Sequence, residues 1–168
     1  VQQRGQLVGV DAIGDLFIKG PSAALLYWNS RDKSTATFQG EWVKSGDKYS
    51  ADADGYYSYA GRSDDMLKVS GQYVSPVEVE SALMAHDDVL ECAVVGRTDL
   101  DGLTKTVAYV VLHDPAAANS TTADALKAFV KNRLAPFKYP REIHFIRELP
   151  KTATGKIQRF KLREQDVR

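Results

Sequence analysis

A single cysteine, Cys92, occurs among 168 residues, so no internal disulfide framework holds the chain together. Its three histidines, His86, His113 and His144, stand far apart. Neither H-E-x-x-H nor C-x-x-C occurs, which removes the usual zinc-site spacings. No apolar run approaches the roughly 20 residues of a membrane-spanning helix. Charge of one sign is not in excess either: 22 Lys+Arg face 22 Asp+Glu, a formal net charge of +0. That balance argues against a broad nucleic-acid surface, although a local basic patch would survive it. The start, Val1-Gln2-Gln3-Arg4-Gly5, has neither an initiator Met nor the apolar stretch of a secretory signal. It reads as the interior of a longer polypeptide, expected in the cytoplasm without nucleic-acid or membrane partners.

What is present is ordinary globular composition, 43% hydrophobic and 26% charged. A compact body of this length has a radius of gyration of about 15 Å, enough for a real core. Cys92 lies in the apolar run Val89 to Val95 and reads as a buried strand thiol. The first third reads as strands and turns. Asp15 to Lys19 is strand-like and stops at Gly20-Pro21. Asp32 to Phe38 is expected as a short helix. Glu41 to Ser45 is a further strand, ended by Gly46-Asp47. Asp54-Gly55 then turns Lys48-Tyr49-Ser50 into Tyr56 to Tyr59 as a hairpin, with its tyrosines packing across the strands.

Composition shifts at Ala60 to Asp65, a small and polar stretch that marks the domain boundary. Beyond it, Met66 to Val69 and Tyr73-Val74 flank Ser70-Gly71-Gln72 as a small hairpin. Ser75 at N-cap, Pro76 at N1 and Glu78 at N3 make a capping box. The helix that follows is predicted to reach about Ala85, with Val79, Ala82 and Leu83 as its apolar face. Val89 to Gly96 and Thr106 to Leu112 read as buried strands joined by Asp99-Leu100-Asp101-Gly102. Thr121 or Thr122 caps a second helix ending near Leu134, in which Leu126, Phe129, Val130 and Leu134 follow the 3.6-residue period. Glu142 to Ile146 is the last strand and Arg159 to Asp166 a short terminal helix. The order β-α-β-β-α-β predicts a small α/β (α+β) domain of about 100 residues, with helices against one sheet.

Three segments carry candidate chemistry. Pro150-Lys151-Thr152-Ala153-Thr154-Gly155-Lys156 is hydroxyl-rich and ends in Gly-Lys, like a phosphate loop. A true P-loop needs G-x-x-x-x-G-K-[ST]. Here Pro150 replaces the first glycine and Ile157 stands where a magnesium-binding hydroxyl belongs. Either the segment is a solvated turn, or a mobile loop presents the Lys156 ammonium to an anion. Gly61-Arg62-Ser63-Asp64-Asp65-Met66-Leu67-Lys68-Val69-Ser70-Gly71 straddles the boundary. Arg62 has a planar fork suited to paired oxygens, and Gly71 lets a ligand pass close to the backbone. Solvated charges in a plain turn are the alternative. Asp47 suits a ribose diol, or simply caps a turn.

Taken in order, Ser45-Gly46-Asp47, G-R-S-D-D-x-x-K-x-S-G and P-K-T-x-T-G-K resemble the end of the adenylate-forming superfamily. That superfamily contains acyl- and aryl-CoA synthetases, luciferases and peptide-synthetase adenylation domains. The resemblance runs from about Gly14 to Arg163. Asp47-Lys48-Tyr49, Ser70 to Pro76 and Asp101 to Lys105 most resemble its benzoate-CoA ligase branch.

The resemblance implies two half-reactions. A carboxylic acid, here aromatic, attacks ATP to give an acyl-adenylate and pyrophosphate; the thiol of CoA then displaces AMP. It implies that residues 1–62 end a large β-rich domain, 63–65 form a hinge, and 66–168 are a small domain that rotates between the steps. Asp47 and Arg62 would then hold the ribose of ATP or AMP, and Asp64 would be the hinge residue. Lys156 would be catalytic, bridging carboxylate and α-phosphate oxygens. Lys68 and Gly71 would face inward for the thioester step, Gly71 lining the pantetheine tunnel. ATP with magnesium is expected to bind mainly upstream, since the pyrophosphate loop and acyl pocket are absent from this sequence. On this reading the chain is a fragment, inactive alone. The exposure expected for Lys156 makes a protein acetyltransferase a further expected partner. The rival readings are an adenylation domain that loads a carrier protein and a non-catalytic interaction module of the same fold.

Overall fold

A computed structural model describes residues 2–3, 6–7, 9–10, 12–99 and 102–164. The chain divides into two compact units, Val1–Asp64 and Asp65–Arg168. Leu100 and Asp101, expected in a turn, and Asp166, expected in the terminal helix, lie outside the described residues. Among the described residues no helix is long and apolar enough to cross a membrane.

The first unit is a sheet with one short helix. Its strands are β1 (Gln2–Gln3), β2 (Gln6–Leu7), β3 (Gly14–Ile18), β4 (Phe38–Gln39), β5 (Trp42–Ala51) and β6 (Tyr57–Arg62), with α1 (Arg31–Thr37) before β4. The order is β2-β1-β3-β5, and both β4 and β6 pair with β5 along its other edge. The β5–β6 turn is closed by Asp52, whose Oδ1 accepts from Asp54 N and Tyr56 N, while Gly55 supplies φ +85°. Tyr49 and Tyr59 are register partners and meet edge to face at 5.5 Å, whereas Tyr56 and Tyr57 are exposed. Cross-strand packing therefore accounts for only part of the tyrosine group.

One expectation is corrected here. Gly46-Asp47 does not end a strand but lies inside the ten-residue β5. Asp15 pairs with Lys48 and Phe17 with Lys44, so Ser45, Gly46 and Asp47 bulge opposite Leu16 alone. A strand tolerates such an insertion by bending locally.

The second unit begins with β7 (Leu67–Val69) and β8 (Gln72–Val74), followed by α2 (Pro76–Met84). Then come β9 (Val89–Thr98), β10 (Thr104–Leu112), α3 (Ser120–Lys131), β11 (Glu142–Phe145) and α4 (Arg159–Glu164). The main sheet runs β11-β10-β9, with β10–β11 parallel and β9–β10 antiparallel. Its two faces bury different residues. Cys92, Val94, Ala108, Val110 and Leu112 pack with Val79 and Leu83 of α2 and Leu126 and Val130 of α3. Ala93, Val95, Val107, Tyr109 and Val111 pack instead with Leu149 and Leu162. Helices against one sheet were expected, and the unbroken apolar runs of β9 and β10 need cover on both of its faces. Tyr109 makes the second face specific, donating its hydroxyl to the Leu162 carbonyl at 2.9 Å.

Local signals hold with one exception. Ser75 Oγ accepts from Glu78 N at 3.2 Å and Pro76 opens α2. The Glu78 carboxylate receives Lys138 Nζ at 2.6 and 2.8 Å. Helix α3 is capped by Asn119 rather than Thr121 or Thr122, since Asn119 Oδ1 accepts from Thr122 N. Cys92 is buried as expected, and burial first, with the nearby Glu80 charge, pushes its thiol up to about 12. Replacing the α2 cap, Ser75→Ala, should cost about 1 kcal/mol in a denaturant titration, with an unchanged slope.

Candidate functional site

The β5 bulge brings Asp47 opposite Arg62 of β6. Arg62 Nη1 donates to Asp47 Oδ1 at 3.3 Å, and Arg62 Nε lies 3.5 Å from Asp64 Oδ1. Ser45 Oγ accepts from Asp47 N at 3.1 Å, and Ser63 N donates to Gly46 O at 2.9 Å. Both bonds fix the bulge. Gly46 has φ +81°, and a Cβ there would stand 3.2 Å from Arg62 Nη2. The backbone conformation requires glycine, and a Cβ would in addition press on the guanidinium above it. Asp47 Oδ2 keeps no bond among the described residues, leaving an acceptor beside a cation. That is the pairing a vicinal diol needs.

Asp15 supports this corner and was not anticipated. It receives Lys48 Nζ at 3.0 Å and Ser63 Oγ at 2.8 Å, with Lys44 Nζ at 3.3 Å. Burial pushes its carboxyl up, but the bonds from Lys48 and Ser63 and the two cations outweigh it and hold it low. Ser63, next to Arg62, is tied to both β3 and β5 in this way. No sequence pattern signals it, because Asp15 and Ser63 are 48 residues apart.

In the second unit Lys68 and Gly71 lie on the β7–β8 hairpin. Ser70 at φ 49° and Gly71 at φ 81° form its two-residue turn, with Val69 opposite Gln72. A Cβ on Gly71 would meet nothing within 4 Å, so within this unit the glycine answers to backbone conformation alone. An open cleft of about 440 Å³ adjoins the turn, lined in part by Ser70, Lys105 and Arg141.

Lys156 sits on a closed turn rather than a slack loop. Lys151 bridges Ile157, Thr152 N donates to Lys156 O at 2.8 Å, and Gly155 N donates to Thr152 O at 2.9 Å. Thr152 Oγ1 accepts from Lys156 N at 3.1 Å. Lys151 Nζ also reaches Glu91 Oε1 of β9 at 2.6 Å. The residues from 151 to 156 are all exposed, and the Lys156 ammonium has no partner among the described residues.

A second cluster escaped sequence reasoning. Arg159 Nη2 donates to both oxygens of Glu80 at 2.9 Å, and Glu80 Oε1 also accepts from Val94 N at 2.8 Å. Burial raises the Glu80 carboxyl despite Arg159 and the Val94 amide. The structure thus groups Asp47, Arg62 and Asp64 in the first unit, Lys68 and Gly71 on one hairpin, and Lys156 on a separate turn. Among the described residues no group of three or more His, Cys, Asp or Glu could hold a metal ion.

Residues 78–156 match the AMP-binding enzyme C-terminal domain. A benzoate–CoA ligase of Thauera aromatica is 63% identical over 150 residues, covering 89% of this chain and 28% of the relative. The crystal structure of a benzoate CoA ligase from Burkholderia xenovorans is 64% identical, with TM-score 0.87 over 95% of this chain and 32% of that one. An anthranilate CoA ligase solved with anthranoyl-AMP is 50% identical, with TM-score 0.88, over 97% of this chain and 32% of that one. The chain spans about a third of the length of the proteins it matches.

Substituting Gly46→Ala should destabilise the protein by roughly 1–3 kcal/mol, the cost of a non-glycine residue held in a sparsely populated conformation. Urea unfolding of the two proteins measures it, and an unchanged midpoint would remove the conformational requirement.

Proposed function

We propose that this chain forms the C-terminal part of an ATP-dependent, AMP-forming aryl-CoA ligase whose acid is benzoate or a close aromatic analogue. What carries the reading is the 63% identity over 150 residues to a benzoate–CoA ligase. CoA is preferred to a carrier protein as acceptor because relatives 63% and 52% identical to this chain are CoA ligases by name. Residues 1–62 would close the large domain, 63–65 would be the hinge, and 66–168 the mobile domain. The ATP-cradling loop and acyl pocket would come from residues upstream.

In the first half-reaction Asp47 accepts from the ribose hydroxyls through its unbonded oxygen, and Arg62 holds it in place. Lys156 places its ammonium between the attacking carboxylate and the α-phosphate, offsetting charge that grows at phosphorus. Its closed turn preorganises that charge. Magnesium would accompany ATP, but no carboxylate cluster among the described residues fits it. In the second half-reaction the hinge at Asp64 turns the β7–β8 hairpin, with Lys68 and Gly71, toward the adenylate. Lys105 and Arg141 beside that turn suit the phosphates of CoA. For a protein acetyltransferase acting on Lys156, the support is the exposure of the turn and nothing further.

In the full-length enzyme Lys156→Ala should slow adenylation, read by pyrophosphate exchange, about 10²–10³-fold. Thioester formation from a preformed adenylate should change little. An unimpaired first half-reaction would return the turn to a structural role.

Gly71→Leu should block the second half-reaction and spare the first. Gly71→Asn is the control, because Asn tolerates positive φ and keeps the turn. If Leu and Asn behave alike in both half-reactions, backbone conformation rather than a ligand path explains the glycine.

A further inference from the structure

Two adjacent aspartates at the junction of the two units have different partners. Asp64 is held by Arg62, which also bonds Asp47. Asp65 is held by α4: Arg163 Nη2 donates to its Oδ1 at 2.5 Å, and Arg159 Nη1 lies 3.9 Å from its Oδ2. Arg159 in turn is fixed by both oxygens of Glu80, at the outer edge of β9. The side chains of Asp65, Arg159 and Glu80 are only 22%, 22% and 14% exposed, against 78% for Asp64. Asp65, Arg159 and Glu80 are therefore largely shielded from solvent screening, Arg163 closes the cluster at the surface with its side chain 37% exposed, and Asp64 lies open to solvent.

Arg159 stands three positions after Lys156 in the sequence. Little slack separates them, since Ile157 bridges Lys151 and Gln158 N donates to Pro150 O at 2.8 Å. The β7–β8 hairpin has other support, with β7 resting on β10.

We infer that Asp65, through Arg159 and Arg163, is a positioning residue for Lys156. It clamps the stem of the Lys156 turn to the first residue of the second unit. Rotation about the backbone φ and ψ of Asp64 then carries the ammonium as part of one rigid body. This rests on the adenylation role proposed above for Lys156.

The test uses the full-length enzyme with Arg163→Met, Asp65→Asn and, as the conservative variant, Arg163→Lys. Arg163→Met and Asp65→Asn should lower kcat for adenylation about tenfold, the size of losing one charge-assisted hydrogen bond. KM for ATP and the rate of thioester formation from preformed adenylate should stay within about twofold. Arg163→Lys should recover most of the loss. Amide hydrogen exchange at Ile157 to Leu162 should rise about tenfold in Arg163→Met while α2 stays protected. Equal losses in both half-reactions, or unchanged exchange at Ile157 to Leu162, would overturn the clamp. If the unsubstituted enzyme forms no adenylate, the proposed function fails. The exchange measurement then decides alone whether the clamp exists.

Discussion

Burial on both faces of the β9–β10 pair governs the second unit. Two strands with apolar side chains on both sides are stable only if both sides are covered. Helices α2 and α3 cover one side through Val79, Leu83, Leu126 and Val130. The other is left for the chain that follows β11, which supplies Leu149 and Leu162. Each fully buried leucine contributes about 1.5–3 kcal/mol by area. Lys156 lies between these two anchors in sequence, and so the exposed turn that bears it is set by the packing on either side. The hydroxyl of Tyr109 on the Leu162 carbonyl fixes α4 along the sheet as well as against it.

Polar constraints govern the first unit. A bulge of Ser45, Gly46 and Asp47 in β5 places a carboxylate opposite Arg62, and Asp15 ties Ser63 to two strands. The Asp47–Arg62 pair is not a large stability term, because solvent-accessible ion pairs are worth about 0–1 kcal/mol. Its effect is geometric. Arg62 is held between Asp47 and Asp64, so the β5 bulge and the last residue of the first unit share one guanidinium.

The two aspartates at the junction repeat this division. One is paired at the exposed end of the first sheet, the other inside a shielded cluster of the second unit. Acids adjacent in sequence thus differ in screening and partners.

Much of the architecture was legible in the sequence because its signals are local. The Ser75-Pro76-x-Glu78 cap, the Ser70-Gly71 turn and the apolar runs of β9 and β10 each involve residues close in sequence, and each formed where expected. The order of Asp47, Arg62 and Lys156 along the chain carried the family resemblance. The Asn119 cap was missed because several residues in that stretch make adequate caps. The β5 bulge was missed because a glycine in a strand reads equally as an end or an insertion until its neighbours' register is known. The Tyr109–Leu162 bond on the second face of the sheet, the Asp15–Ser63 bond and the tie from Asp65 through Arg163 and Arg159 to Glu80 join residues 48 to 98 positions apart. Such pairs have no period or spacing of their own. Sequence determined the elements and the residue types of the site; which charges share a cluster, and which aspartate is shielded from water, was decided by tertiary packing alone.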